Sequence, residues 1–285
     1  MRARARVVAR ADGRGGTRLT ELRGESPLLL RSTTAEGGVA TVYVVGGAAG
    51  PLGGDDLLLE VEVGPGAALR VGSVAASVAL PGRPGAAASR MRVHAVVHAG
   101  AALHWLPEQL VAAAGCDHVA EARVELAAGA RLTWRDELIC GRYGESPGDA
   151  VVRTSVDHGG RPLLRQSTAV GPSAPGWAGA AVLGGAPATG SLLLVGPDVP
   201  PGPAAQPGPG AAPGVGMRDG VGVRNGVGVR NGVGMPPGGL PVPRARPAGD
   251  DGGAVAWLAL AGGPAALLTA TAADAHTLRE RLTPA

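Results

Sequence analysis

A four-residue word, Gly-Ala-x-Leu, recurs at 66–69, 100–103 and 129–132, each time between two short runs rich in Val and Leu. The contexts are VEVGPGAALRV, VVHAGAALHWL and VELAAGARLTW. A glycine supplies a tight turn and the leucine enters the following run, so each unit reads as strand, corner and second strand. The words begin 34 and then 29 residues apart, close to the size of one stacked supersecondary unit and too regular for a single meander. Gly66, Gly100 and Gly129 are therefore expected at corners, with Leu69, Leu103 and Leu132 pointing inward. The fold class that follows is mainly β, a layered or helical-like coil of short strands with a few short helices.

Other runs fit the same plan. VYVVGG at 42–47, LLLEVEVG at 57–64 and MRVHAVVHAG at 91–100 are rich in β-branched residues and broken by Gly or Pro. The core must be built from Val, Leu and Ala, because the chain has no Phe, four Trp and two Tyr. Small side chains let backbones approach closely, but each glycine adds to the entropy lost on folding. Modest stability and dependence on a partner are the expectation.

From 197 to 250 the character changes to Pro and Gly, leading into the near-repeats VGMRDG, VGVRNG, VGVRNG and VGMPPG. Too few apolar side chains remain there to offset ordering, so 197–250 reads as a flexible low-complexity insertion within a single domain spanning 1–285. Arg218, Arg224 and Arg230 have no aromatic neighbours to stack bases, and no nucleic acid is expected as a partner. Beyond it, AVAWLALAG resumes a strand, and DAHTLRERL at 274–282 reads as a closing helix with Asp274 as N-cap and Leu278 and Leu282 four apart.

The formal charge of +3 is spread among Asp and Glu rather than gathered in a basic run. Arg2, Arg4, Arg6 and Arg10 lack the following apolar segment of a secretory signal, and no run reaches the ~18 apolar residues of a membrane helix. The reading is cytoplasmic, with no membrane association. Cys116 and Cys140 form no CxxC pair, which fits reduced thiols in that compartment.

Chemistry-bearing side chains gather between His98 and Gly148. His94 and His98 lie on a strand pattern that sets them about 13 Å apart, too far for one ion. Cys116, Asp117, His118 and Cys140 are either metal ligands or buried structural groups, and the short repeated spacings of a zinc site are missing. Glu108, Asp136, Glu137 and Glu145 offer carboxylates for acid–base work, yet GxSxG, HExxH, the phosphate-binding loop and the dinucleotide fingerprint are all missing, so no enzyme is expected. Two stiff segments remain. In WLPEQ, Pro107 fixes the backbone beside Trp105, followed by Glu108 and Gln109; in ICGRYGESPG, Gly141 and Gly144 frame Arg142 and Tyr143, with Glu145 next. They suit either partner recognition, where Trp, Tyr and Arg dominate, or purely structural turns around buried Trp105 and Trp134.

These segments also carry a resemblance. WLPEQ at 105–109, the VELAAGARLTWRDELICGRYGESPG run and GGAAGPLGGDDLLLEVEVGPGAAL at 46–69 resemble the urease accessory protein UreD (UreH) family, actinobacterial type. GESPLLLRST at 24–33, GSLLLVG at 190–196 and the AWLAL and DAHTLRERL end extend the likeness to nearly the whole chain except 197–250. The resemblance implies a mainly β, noncatalytic scaffold and metallochaperone component that bridges apo-urease to a UreF-type protein, and through it a UreG-type GTPase, during nickel insertion. It further implies a nickel tunnel, transient Ni2+ and no tightly bound cofactor. Trp105, Pro107, Glu108 and Gln109 match the family's W-L-P-x-E/Q segment, and Gly141, Arg142, Gly144 and Glu145 its Gly-Arg to Gly-Glu loop, as partner-binding or structural groups. Glu108, Glu137, Glu145 and His104 are the expected transient metal contacts. Three departures stand out: RVGSVAASVALPG replaces a Thr-x-Gln or Thr-x-Ser segment, the polar pair after Pro107 is swapped, and Tyr143 alone separates Gly-Arg from Gly-Glu. The rival reading is a β-rich protein-binding module without metal function.

Overall fold

A computed structural model of the chain describes residues 1–197, 199, 253–261 and 263–283. The chain opens on two antiparallel hairpins, β1 (Arg2–Ala11) with β2 (Thr17–Gly24) and β3 (Leu28–Glu36) with β4 (Val39–Gly46). In β1 the alternation of RARARVVARA buries Ala3, Ala5, Val7 and Ala9 and turns the arginines outward.

Stacked coils follow. The first is β5 (Asp56–Val63), β6 (Ala68–Ser73) and β7 (Ser77–Ala79), and the second is β8 (Ser89–Val97), β9 (Ala102–Leu106) and β10 (Leu110–Ala112). The third is β11 (Asp117–Leu126) and β12 (Arg131–Cys140). In the second coil Pro107 lies in the break between β9 and β10, whereas β12 runs unbroken and pairs in parallel with both. A hairpin of β13 (Asp149–His158) and β14 (Arg161–Val170) comes next, then β15 (Ala188–Val195), β16 (Val255–Leu260), β17 (Ala265–Ala272) and the helix α1 (Ala275–Leu282). One sheet runs β14-β13-β11-β8-β5-β1-β2, the other β16-β17-β15-β12-β9-β6-β4-β3, with β10 beside β12 and β7 beside β10.

The three corners are built alike. Gly66, Gly100 and Gly129 have φ of 67°, 68° and 76°, a region that favours glycine, and the N–H groups of Ala67, Ala101 and Ala130 each close the turn with a 3.0 Å bond. Leu69 pairs with Leu103 and Leu103 with Leu132, and this ladder is buried in the space between the sheets. The alanines of the word are also buried, at 1%, 0% and 1% exposure, so the corner excludes any larger side chain.

The main core is Val, Leu and Ala from both sheets with Trp105 and Trp134. A second cluster lies beneath α1, where Leu278 and Leu282 pack on Leu192, Leu194, Trp257 and Leu268. Burying the two helix leucines contributes about 1.5–3 kcal/mol each. As its sequence predicts, α1 is capped by Asp274, whose Oδ1 accepts the Thr277 N–H at 2.7 Å. It is the one helix among the described residues, and no helix among them is long and apolar enough to cross a membrane. The insertion read at 197–250 lies, apart from 197 and 199, outside the described residues; β15 before it and β16 after it both pair with β17.

Candidate functional site

Strand alternation divides β12 into two chemistries. Trp134 and Asp136 turn into the space between the sheets, while Arg135 and Glu137 turn out toward α1.

On the inner side, Trp134 stacks on its register partner Trp105 with centroids 4.9 Å apart and rings 13° from parallel. The Trp134 Nε1–H donates to Asp136 Oδ2 at 2.9 Å, and the Thr154 hydroxyl of β13 donates to the same oxygen at 2.7 Å. Burial pushes the Asp136 carboxyl upward, and these two hydrogen bonds oppose it. A cavity of about 520 Å³ on one side is walled by Leu57, Met91, Trp105, His118 and Trp134. A second, of about 500 Å³, is walled by Gln166, Thr168, Leu183, Ser191 and Thr269. Asp136, Glu137, Val152 and Thr154 border both. Asp136 is enclosed by protein yet keeps intermediate exposure, because the surface it retains faces these cavities. In the second cavity the Gln166 Oε1 is buried with no hydrogen-bond donor.

On the outer side, Arg279 of α1 grips two of the predicted metal contacts. Its Nε and Nη2 donate to Glu137 at 2.5 and 2.6 Å, and its Nη1 and Nη2 donate to Glu108 at 3.3 and 3.1 Å. The Glu137 side chain is 1% exposed, with Arg135 Nε 3.3 Å from Oε1 as a second cation. Arg135 also donates to the Pro107 carbonyl at 3.1 Å, and the Glu108 N–H donates to Ser73 Oγ at 2.9 Å. The bond from Glu137, set against burial, raises Arg279 above the ordinary guanidinium range; burial lowers Arg135 despite Glu137. WLPEQ is thus tied to α1 through Glu108, and to β7 through the Gln109 carbonyl, which accepts the Ser77 N–H at 2.9 Å.

The remaining candidates lie apart. His104 points away from its neighbour Trp105; its Nδ1 is 3.2 Å from Thr133 Oγ1, and burial with Arg70 nearby lowers its pKa. In the GRYGE loop, Glu145 accepts from Arg142 Nε at 2.9 Å, from Arg142 Nη2, and from the Arg142 and Ala114 N–H groups at 3.3 Å. The Arg142 bond holds the Glu145 carboxyl down to about 2, and Tyr143 projects fully into solvent. Gly141 has φ 89°, and a Cβ there would run into the Glu145 carbonyl. Burial pushes the thiols of Cys116 and Cys140 up to about 11, where they are inert, and pushes His118 down to about 4, with Nδ1 2.8 Å from Ser89 Oγ. His98 Nε2 lies 3.6 Å from Glu62. Among the described residues no three His, Cys, Asp or Glu side chains converge as a metal site.

Sequence reasoning thus brought Glu108 and Glu137 forward but not the Arg279 that joins them. It weighed Asp136 only as one carboxylate among several. The alternation of RLTWRDELIC was the available signal, since it puts Asp136 on the face of Trp134.

The sequence matches the family model for the UreD urease accessory protein over residues 1–276. It is 50% identical over 199 residues to the urease accessory protein UreD of Streptomyces avermitilis, covering 70% of this chain and 79% of that one. To urease accessory protein UreD 3 of Streptomyces griseus it is 52% identical over 200 residues, 69% of this chain and 78% of the relative. The UreD of a Parafrankia strain is 46% identical over 217 residues, 69% and 73% of the two chains.

Proposed function

The chain belongs to the UreD family of urease accessory proteins, and from that premise we propose that it is a noncatalytic scaffold and metallochaperone component for nickel insertion. In this reading it bridges apo-urease to a UreF-type protein, and through it a UreG-type GTPase, in the cytoplasm. The two free, buried cysteines suit a reducing compartment.

The observation that carries the reading is the meeting of two intersheet cavities at Asp136. A nickel ion is cargo, so it must be held weakly enough to leave. Closed sets of four nitrogen and sulfur ligands retain borderline cations, whereas one carboxylate among hydroxyls and a side-chain amide favours passage. Burial makes a charged Asp136 costly without a counter-ion. The cation in transit supplies that counter-charge. The stacked tryptophans fix Asp136 through the Trp134 Nε1–H. Glu108 and Glu137, gripped by Arg279, serve as structural groups in this scheme. Tyr143, fully exposed on a loop braced by Arg142 and Glu145, is the side chain offered to a partner.

The test is coexpression with urease subunits and the UreF- and UreG-type proteins at limiting nickel. Asp136→Asn is expected to retain partner binding and lose most urease activation. Full activation by that variant sinks the passage, and failure of the unmodified chain to capture a UreF-type protein or urease sinks the scaffold.

A further inference from the structure

Helix α1 stands directly over the strands that wall the cavity junction. Leu282 rests on Gly190, where a Cβ would come within 2.7 Å of Leu282 Cδ1 and 2.6 Å of the Asp136 carbonyl oxygen. Gly190 is the register partner of Glu137 and borders the second cavity. The helix is short, with eight residues and two buried leucines, and a helix of that length is marginal in water without tertiary support. Its polar attachments to the sheet include the Arg279 fork on Glu137 and Glu108 and a bond from Arg281 Nη1 to the Thr271 carbonyl of β17, and of these the fork is the one that reaches the 136–138 wall. Breaking that fork leaves the carboxylate of Glu137, 1% exposed, with Arg135 alone.

We propose that α1 is a latch on the cavity junction and that Arg279 is its positioning residue: docked, it braces the β12–β15 wall at 136–138 and 189–191, and released, it lets that wall open. The consequence for nickel transfer rests on the passage proposed above, whereas the latch is a property of the chain alone. The device has two states because α1 either satisfies Glu137 or leaves it to Arg135 and whatever water the opened wall admits.

Hydrogen exchange on the full 285-residue chain tests this, with Arg279→Gln, Arg279→Lys and, as a control on the same helix, His276→Ala, whose side chain is 85% exposed. Arg279→Gln is expected to speed exchange in α1, 136–138 and 189–192 by roughly ten- to a hundredfold, leaving β5 and β8 within about twofold of the unmodified chain. Arg279→Lys, which keeps the charge without the fork, falls between, and His276→Ala changes nothing. Acrylamide quenching of tryptophan fluorescence rises in the same order. Unchanged exchange at 136–138 and 189–192 in Arg279→Gln overturns the latch. Uniform acceleration across both sheets also overturns it, since Arg279 would then be a general stabiliser. If the exchange pattern holds while Asp136→Asn activates urease normally, the latch stands and the passage falls.

Discussion

Glu137 and Glu145 sit on the same strand and its following loop, and each is held by an arginine. Yet the two grips differ in what they hold together. Arg142 reaches Glu145 across three residues in an exposed loop, so the pair shapes only its own turn. Arg279 reaches Glu137, which is buried, across 142 residues and the half-buried Glu108 across 171, and joins β12, the WLPEQ segment and α1. The same chemistry is local ornament in water and long-range structure in the interior, because desolvation removes the alternative partner that water provides.

Four substitutions sharpen or break this contrast. Glu137→Ala leaves Arg279 and Arg135 facing each other without their shared carboxylate, and should cost about 3 kcal/mol in urea unfolding. A loss as small as a surface pair would show that the buried grip is not special. His118 comes next. Its folded pKa of about 4 lies below the ordinary 6.5, so the unfolded chain takes up a proton before the folded chain does. Stability is unaffected above 6.5 and falls as pH drops from 6.5 toward 4, by up to about 3 kcal/mol. His118→Gln should flatten that stretch of a melting-temperature profile, and an unchanged slope assigns it to other groups.

Asp136→Asn should stabilise the protein at neutral pH by about 1 kcal/mol, because it removes a buried charge while keeping an acceptor for Trp134 and Thr154. The sign follows from the raised folded pKa. That carboxyl contributes stability below its unfolded pKa and loses it as pH rises through the folded value. Calorimetry showing a destabilised variant contradicts the account of Asp136 as a strained functional group. Glu145→Ala, last, should leave the melting temperature unchanged within error, while its loop becomes more susceptible to proteolysis; a clear drop in melting temperature would erase the contrast with Glu137.

Much of the fold was legible in the repeated Gly-Ala-x-Leu word, since a corner glycine and an inward leucine constrain local geometry directly. The alanine between them was not recognised as structural, because in an Ala-rich chain its frequency hides its position. The unbroken β12 opposite two shorter strands was likewise hidden, since Pro107 marks a break in its own coil and says nothing of the next. Of the site, WLPEQ and GRYGE were visible as stiff segments. The Arg279 contact was not, because residues 108 and 279 share no local pattern and meet only after both sheets have formed. Asp136 was half-legible: its face could be read from alternation, but the cavities on either side depend on how two sheets diverge, which no single strand encodes.

Because a ribosome makes Glu108 and Glu137 long before Arg279, a growing chain carries two acids whose shared partner has yet to be synthesised, with Arg135 alone beside Glu137. Until α1 emerges, the strands around β12 cannot close at full stability. The interval leaves the apolar surfaces of β15 and β17 open to a folding helper or a binding partner. The same fork therefore sets the time at which the strands around β12 can settle.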